Sequence, residues 1–277
     1  MTEFVSQGDA RRSMALLWGA YETPTRGPKP ALTVPEIVAA AVELADAEGL
    51  AAMSMRKVAE RLGKTPMALY TYIPGKAELL DLMLDTVLGE LPTTYDLSGG
   101  WRPAAEAWAH DGWAFYERHS WVLQISGARA LLGPHELDTY EAALRIFDGL
   151  GLSGIEMQRI VGTLGSFVRG AAKATSDART AEQATGISDD DWWNARSPLL
   201  DEFAGPSWHD RYPTITKLDG ERAFDQLDRP DDATPYTVQD ALDVFRHGIA
   251  LLLDGIAARV AERGTSGPQG DPGTSKT

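Results

Sequence analysis

Residues 54–76 read S-M-R-K-V-A-E-R-L-G-K-T-P-M-A-L-Y-T-Y-I-P-G-K, and the fold is decided there. Ser54 is placed to cap a first helix whose inner face is Val58, Ala59 and Leu62. Gly63 ends that helix, because glycine reaches positive φ without steric cost. Thr65 then acts as N-cap, and Pro66 fills the first helical position, where its missing N–H costs nothing. The second helix, Pro66 to Ile73, spans about two turns and is too short to be stable alone. Neighbouring helices must hold it.

On a wheel of about 100° per residue, Leu69 and Ile73 form the buried side. Met67, Ala68 and Thr71 fall opposite, and Tyr70 and Tyr72 lie on the shoulders. Such a face suits a DNA major groove: its centre meets base edges while the shoulder hydroxyls meet phosphates. Arg56 and Lys57 open the first helix, and Lys76 opens the next one. The stretch carries five Lys/Arg against one Glu, in a chain of net charge −14. The candidate DNA contacts are therefore Arg56, Lys57, Thr65, Pro66, Met67, Tyr70, Thr71, Tyr72 and Lys76. A generic helical hairpin with solvated lysines leaves the agreement of capping, turn, length and local charge unexplained.

With those residues in view, Thr33 to Leu91 resembles the N-terminal domain of the TetR (tetracycline repressor) family of transcriptional regulators. The matching segments are I-V-A-A-A-V-E-L-A-D-A-E-G-L (37–50), M-S-M-R-K-V-A-E-R-L-G (53–63) and A-L-Y-T-Y-I-P-G-K-A-E-L-L (68–80). The resemblance implies that Arg56 contacts a base and that Tyr70, Tyr72 and Lys76 contact phosphates. It also implies a helical C-terminal domain that dimerises and binds a small hydrophobic or amphipathic effector.

Outward from this core, Thr33-Val-Pro-Glu36 is a capping box with Pro35 in the first turn. The helix it opens buries Ile37, Ala41, Leu44 and Ala45, ends at Gly49 and supports the helix-turn-helix. Prolines 24, 28 and 30 favour an extended arm over residues 1–31, and Arg26 and Lys29 on it are further candidate DNA contacts. A fourth helix from Lys76, reaching toward Pro92, is the expected lever between domains.

Beyond a linker at 93–100, Trp101 to His119 reads as an aromatic-rich helix with Trp101, Ala105, Trp108, Gly112 and Phe115 on one stripe. Aromatic core is the plain reading. A ligand cavity lined by Trp108, Phe115, Trp121 and Phe167 is the alternative. Further helices are expected at 135–149, from Ser153 to about Ala174, from Asp189 to Phe203 and from Thr237 to 263. Residues 175–190 read as a mobile connection. Small residues at 162, 165, 166 and 170, and a broad apolar stripe at 237–263, mark the expected dimer interface. The expected domains are thus the arm (1–31), the DNA-binding domain (32–92), the effector and dimerisation domain (93–263) and a disordered tail (264–277).

Composition sets the outer bounds. The chain has 277 residues, 43% apolar, and no cysteine, which removes disulfides, thiolate chemistry and Cys-based zinc sites. No apolar run reaches the ~18 residues of a membrane span, and the N-terminus has no signal-peptide pattern, so a cytoplasmic protein is expected. Glu106/His110 and Asp243/His247 are i,i+4 pairs with no third ligand, so no metal is expected. No phosphate loop, nucleophile elbow or catalytic triad stands out, and no cofactor is expected. The reading is an all-α, homodimeric, ligand-responsive repressor of a palindromic double-stranded DNA operator. The alternatives are an effector-independent activator or architectural protein, or a helical enzyme.

Overall fold

Thr33 stops the chain in an extended conformation and starts α2 (Val34–Glu48) with a reciprocal cap. Its amide and hydroxyl donate to Glu36 Oε2 at 2.7 and 2.8 Å, and Glu36 N donates back to Thr33 Oγ1 at 3.4 Å. The computed structural model describes residues 2–20, 32–205, 207–223 and 234–265. The rest of these form α1 (Ala10–Leu17), α3 (Met55–Arg61), α4 (Pro66–Tyr70), α5 (Lys76–Leu88), α6 (Trp101–Arg118), α7 (Pro134–Phe147), α8 (Gly154–Thr185), α9 (Asp189–Ala204), α10 (Trp208–Arg211), α11 (Pro213–Gly220) and α12 (Tyr236–Thr265). The fold is all-α. Among the described residues the extended pairing is a single bridge, Glu3 with Ile125.

Around the turn, Lys57 N donates to Ser54 Oγ at 3.3 Å to cap α3. Gly63 at φ +64° closes it, and Lys64 N returns to Ala59 O at 2.9 Å. Thr65 occupies the cap position of α4, but its hydroxyl makes no capping bond. The helix also ends at Tyr70 rather than Ile73, because a residue before proline, here Ile73 before Pro74, avoids the α region. Leu69 and Ile73 are nonetheless fully buried, and both Tyr72 N and Ile73 N return to Leu69 O at 2.9 Å.

Residues 2–20 are not the expected arm. Asp9 Oδ1 caps α1 by accepting from Arg12 N at 2.9 Å, and the M-A-L-L-W run at 14–18 buries Leu16 and Leu17. Glu3 N donates to Gln124 O and Ser126 N to Glu3 O, fixing the segment on both sides. Arg26 and Lys29 lie outside the described residues. An eight-residue amphipathic helix is stabilised by packing rather than by propensity, so its sequence signal is faint.

With α1, α2 and α7 all packed on it, α5 is surrounded. It buries Leu79, Leu80, Met83 and Val87, and also the acids Glu78, Asp81 and Asp85. Helix α5 stops at Leu88, short of the expected Leu91, and the chain leaves through 3-residue turns at Glu90 and Leu91.

The described residues up to Arg169 group with those from Ile249 onward, and Gly170–Gly248 form a second unit. This differs from the expected division at 92/93. In the first unit, Glu156 caps α8 through Ser153 and binds Arg263 at 2.6 Å and Arg259 at 3.3 Å on α12. Its hydrogen bonds from Arg263 and Ser153 hold its carboxyl down at about 2. In the second unit, residues 175–185 continue α8 instead of forming a mobile connection. Ala, Gln, Glu and Arg favour helix there, and Lys173 pairs with Asp177 one turn on at 2.5 Å. Helix α12 starts at Tyr236, and the expected cap Thr237 instead donates its hydroxyl to Asp189 Oδ2 at 2.6 Å. Of the expected tail, residues 264–265 are helical and the remainder lies outside the described residues.

Asp81 gives a test of how residues 2–20 are held. It is 1% exposed, Ser6 N donates to Oδ1 at 2.8 Å, and Oδ2 has no partner. Burial, opposed by the Ser6 amide and reinforced by Glu78, pushes its carboxyl up to about 6. A raised folded value means that the stabilisation is full at acid pH and is lost as pH rises through about 6. Asp81→Asn keeps an acceptor for Ser6 without the charge. We expect it to raise Tm at pH 8 and to leave Tm nearly unchanged at about pH 3, below the unfolded value of 3.8, as read by thermal melts of both proteins.

Candidate DNA-binding surface and effector cavity

The outward face of α4 is held by two buried side chains beneath it, Leu69 and Ile73. Met67 stands at 73% exposure, with Thr65, Tyr70 and Thr71 also exposed and Pro66 and Ala68 half-buried. Thr71 Oγ1 donates to Met67 O at 3.4 Å. The two shoulders are unequal: Tyr70 is open, whereas Tyr72 packs partly against the core. The flanking cations hold carboxylates. Lys57 meets Glu48 at 2.8 Å, Arg56 meets Glu60 at 3.5 Å, and Lys76 meets Glu3 at 3.7 Å. Exposed pairs of this kind contribute about 0–1 kcal/mol, so a phosphate can replace the carboxylate at small cost. Lys64, exposed in the turn itself, belongs to the same face and was not among the sequence candidates.

A cavity of about 510 Å³ opens among α5, α6, α7 and the first half of α8. Trp108 and Phe115 line it, as expected from the α6 stripe, together with Tyr95, Tyr116, Tyr140 and Gln158. Trp121 and Phe167 do not. Trp121 is fully buried and donates Nε1 to Asp46 Oδ1 at 2.7 Å, while Phe167 is half-buried off the wall. Gly165, expected to let a partner helix approach, also lines the cavity, where an added Cβ would stand 3.8 Å from Trp108 Cη2, an ordinary contact distance. Tyr95 donates its hydroxyl to Asp111, and burial plus that carboxylate push its pKa up, so it stays a neutral phenol.

His119 follows the last turn of α6 and is 2% exposed. Its Nδ1 lies 2.8 Å from Asp46 on α2, and its Nε2 lies 3.1 Å from Glu90 beyond α5. Each ring nitrogen thus faces a carboxylate oxygen. Burial raises the Glu90 carboxyl, but hydrogen bonds from His119 and Arg118 outweigh it and hold the value low. The Phe115 ring centroid sits 5.5 Å from that of His119. A cavity-wall residue thus touches the group that ties α6 to α2. Sequence reading took His119 as one of five scattered histidines, since nothing local marks its partners, 73 and 29 positions away.

A second tie joins α5 to α7. Asp85 accepts from Glu136 N at 3.1 Å and meets His135 Nδ1 at 3.0 Å. The acids of the two suspected metal pairs are otherwise engaged, Glu106 with Arg102 and Asp243 with Arg246.

Residues 37–83 match the family described as "Bacterial regulatory proteins, tetR family", and residues 95–260 match "Tetracyclin repressor-like, C-terminal domain". The chain belongs to the TetR family. It is a DNA-binding transcriptional regulator with a helix-turn-helix and a ligand-binding domain, and not an enzyme. Among relatives of this TetR-family chain, "HTH-type transcriptional repressor DrrR1" of Streptomyces coeruleorubidus is 40% identical over 269 residues, covering 96% of this chain and 93% of the relative. The class A tetracycline repressor of Escherichia coli is 26% identical over 247 residues, 84% of this chain and 94% of that protein. Among solved structures, the Streptomyces coelicolor TetR family protein ActR in complex with actinorhodin is 25% identical, with a TM-score of 0.64 over 82% of this chain and 96% of that one. No helix among the described residues of this TetR-family chain is long and apolar enough to cross a membrane.

Gly133 precedes α7 where Asp85 reaches the helix, and an added Cβ would stand 2.1 Å from Asp85 Oδ1. We expect Gly133→Ala to displace Asp85 from Glu136 N and to cost on the order of 1–3 kcal/mol. Urea unfolding of the two proteins checks it.

Proposed function

We propose that this TetR-family protein is a homodimeric repressor that binds a palindromic operator and is released by a small, largely apolar effector. The observation that supports it best is the contact of Phe115, on the cavity wall, with His119, which is bonded to Asp46 on α2. Helix α2 packs on α3 beside the reading face. An effector that shifts the end of α6 would shift α2 and with it the spacing of the two reading helices. Half-sites sit about one helical turn apart, so wrongly spaced helices lose affinity. The names of the relatives, a transcriptional repressor and a ligand-bound regulator, agree with this reading.

In this proposal residues 32–92 form the DNA-binding domain, and 93–263 hold the effector and the dimer interface. Met67, Thr71 and Arg56 read bases, while Lys57, Thr65, Pro66, Tyr70, Tyr72 and Lys76 position the backbone. Arg26 and Lys29 are added contacts, tested by replacing both with alanine. Dimerisation uses the outer surface of α8 and α12, where Ile155 and Leu251 are exposed and Ile160 and Leu252 border a shallow depression.

The deciding experiment selects bound sites from random DNA and then titrates the recovered operator by fluorescence anisotropy. Recovery of inverted repeats supports the reading, and recovery of unrelated sequences at salt-insensitive affinity would sink it. Lys76→Ala should weaken all sites alike and lower the slope of log affinity against log salt by about one. Arg56→Ala should cost about 1–3 kcal/mol and relax preference at one base pair. A compound screen by thermal shift, with and without operator, supplies an effector for the coupling test. With any compound that both raises Tm and displaces the wild type, His119→Gln should keep the thermal shift and lose the displacement. Leu251→Asp with Leu252→Asp should give monomers by analytical ultracentrifugation, because the pair buries charge in an apolar contact.

A further inference from the structure

The cavity is rich in aromatic rings, and its charge is one-sided. Among the described residues that line it, Glu136 is the one acid, and there is no Lys, Arg or His. The Glu136 carboxylate is held in place, with Oε1 accepting from Leu131 N at 3.1 Å and Oε2 from Leu132 N at 2.7 Å. Neutral amides orient the group but leave its charge uncancelled, and each oxygen keeps a further acceptor site. Two basic side chains beside the wall are turned to other partners. His135 turns Nδ1 to Asp85. Arg169 lies 5.6 Å from the Tyr116 ring centroid and gives its Nη2 to the carbonyls of Val122, Leu123 and Ile125. On another part of the wall, Tyr95 spends its proton on Asp111, so its oxygen presents only lone pairs.

We infer that the cavity takes a flat aromatic ligand that carries a protonated or quaternary amine, in preference to an anionic one of the same shape. An anion entering here would leave water and meet a carboxylate, an acceptor phenol oxygen and the negative faces of the rings, with no donor cation in compensation. An ammonium would meet the Glu136 carboxylate and the faces of rings such as Trp108 and Tyr140. Gln158 on α8 adds a neutral donor and acceptor that orients polar substituents of either kind. The inference rests on the proposed reading of this cavity as the effector site, and the test separates the two.

The probes are three tricyclic compounds of one shape: 9-aminoacridine, cationic at pH 7; 9-anthracenemethanol, neutral; and 9-anthracenecarboxylate, anionic. Each is titrated by calorimetry into the full-length dimer without DNA. The expected result is one cation per protomer, bound about tenfold or more tighter than the anion. Glu136→Gln should bring that ratio to within about threefold, and Gln158→Lys, a second variant on a different helix, should move it toward the anion. Trp108→Ala should weaken all three probes, which a cation scattered over the acidic surface would not show. An anion bound as tightly as the cation, or a ratio unmoved by both charge variants, overturns the inference and leaves the cavity an effector site. Failure of all three probes to bind, or binding indifferent to Trp108→Ala, overturns the effector-site reading and the inference with it.

Discussion

An imidazole with a carboxylate against each ring nitrogen joins three parts of this chain that are remote in sequence. His119 closes α6, Asp46 belongs to α2, and Glu90 follows α5. Because the ring is buried, loss of either partner leaves a ring nitrogen without its hydrogen bond. The other polar groups nearby reinforce the arrangement: Trp121 adds a donor to Asp46, and Arg118 adds one to Glu90. The ends of α2, α5 and α6 are thus fixed to one another by directional bonds, where apolar packing alone would allow them to slide. A cavity wall that begins one turn earlier, at Phe115, inherits that rigidity.

Helix α5 is the structural counterpart of the clamp. It runs through the centre of the first unit with α1, α2 and α7 around it, and three acids on its buried sides each find or seek a donor there. Asp85 finds the first turn of α7, and Asp81 finds the amide of Ser6 with one oxygen left over. The helix therefore joins its neighbours by specific hydrogen bonds as well as by Leu79, Leu80 and Met83. Such bonds are satisfied in one register only, so they fix the helix against sliding.

Much of the fold was legible because its signals are local. The capping boxes at Thr33 and Ser153, the cap at Ser54, the closing glycine at 63 and the buried pair Leu69 and Ile73 all act within four residues. What escaped reading is non-local. Asp81, Asp85 and His119 look like solvated surface until helices from elsewhere in the chain cover them. The same cause explains Trp121, whose aromatic character suggested a cavity wall and whose indole N–H was taken up by α2. Gly165 shows the reverse ambiguity: a missing side chain marks either a close helix neighbour or an empty space, and here it borders the cavity beside Trp108. Residues 2–20 were misread because a short helix carries little periodicity, and the prolines that follow drew attention to extension.

The reading helix α4 is five residues long and rests on Leu69 and the nearby Ile73. Its outward residues, Met67 above all, bear almost no weight in folding. Surface positions free of packing tolerate substitution within about half a kcal/mol. A lineage of such regulators is therefore free to vary this outer face one residue at a time, with each intermediate folded. The scaffold beneath stays unchanged while the surface it presents is rewritten.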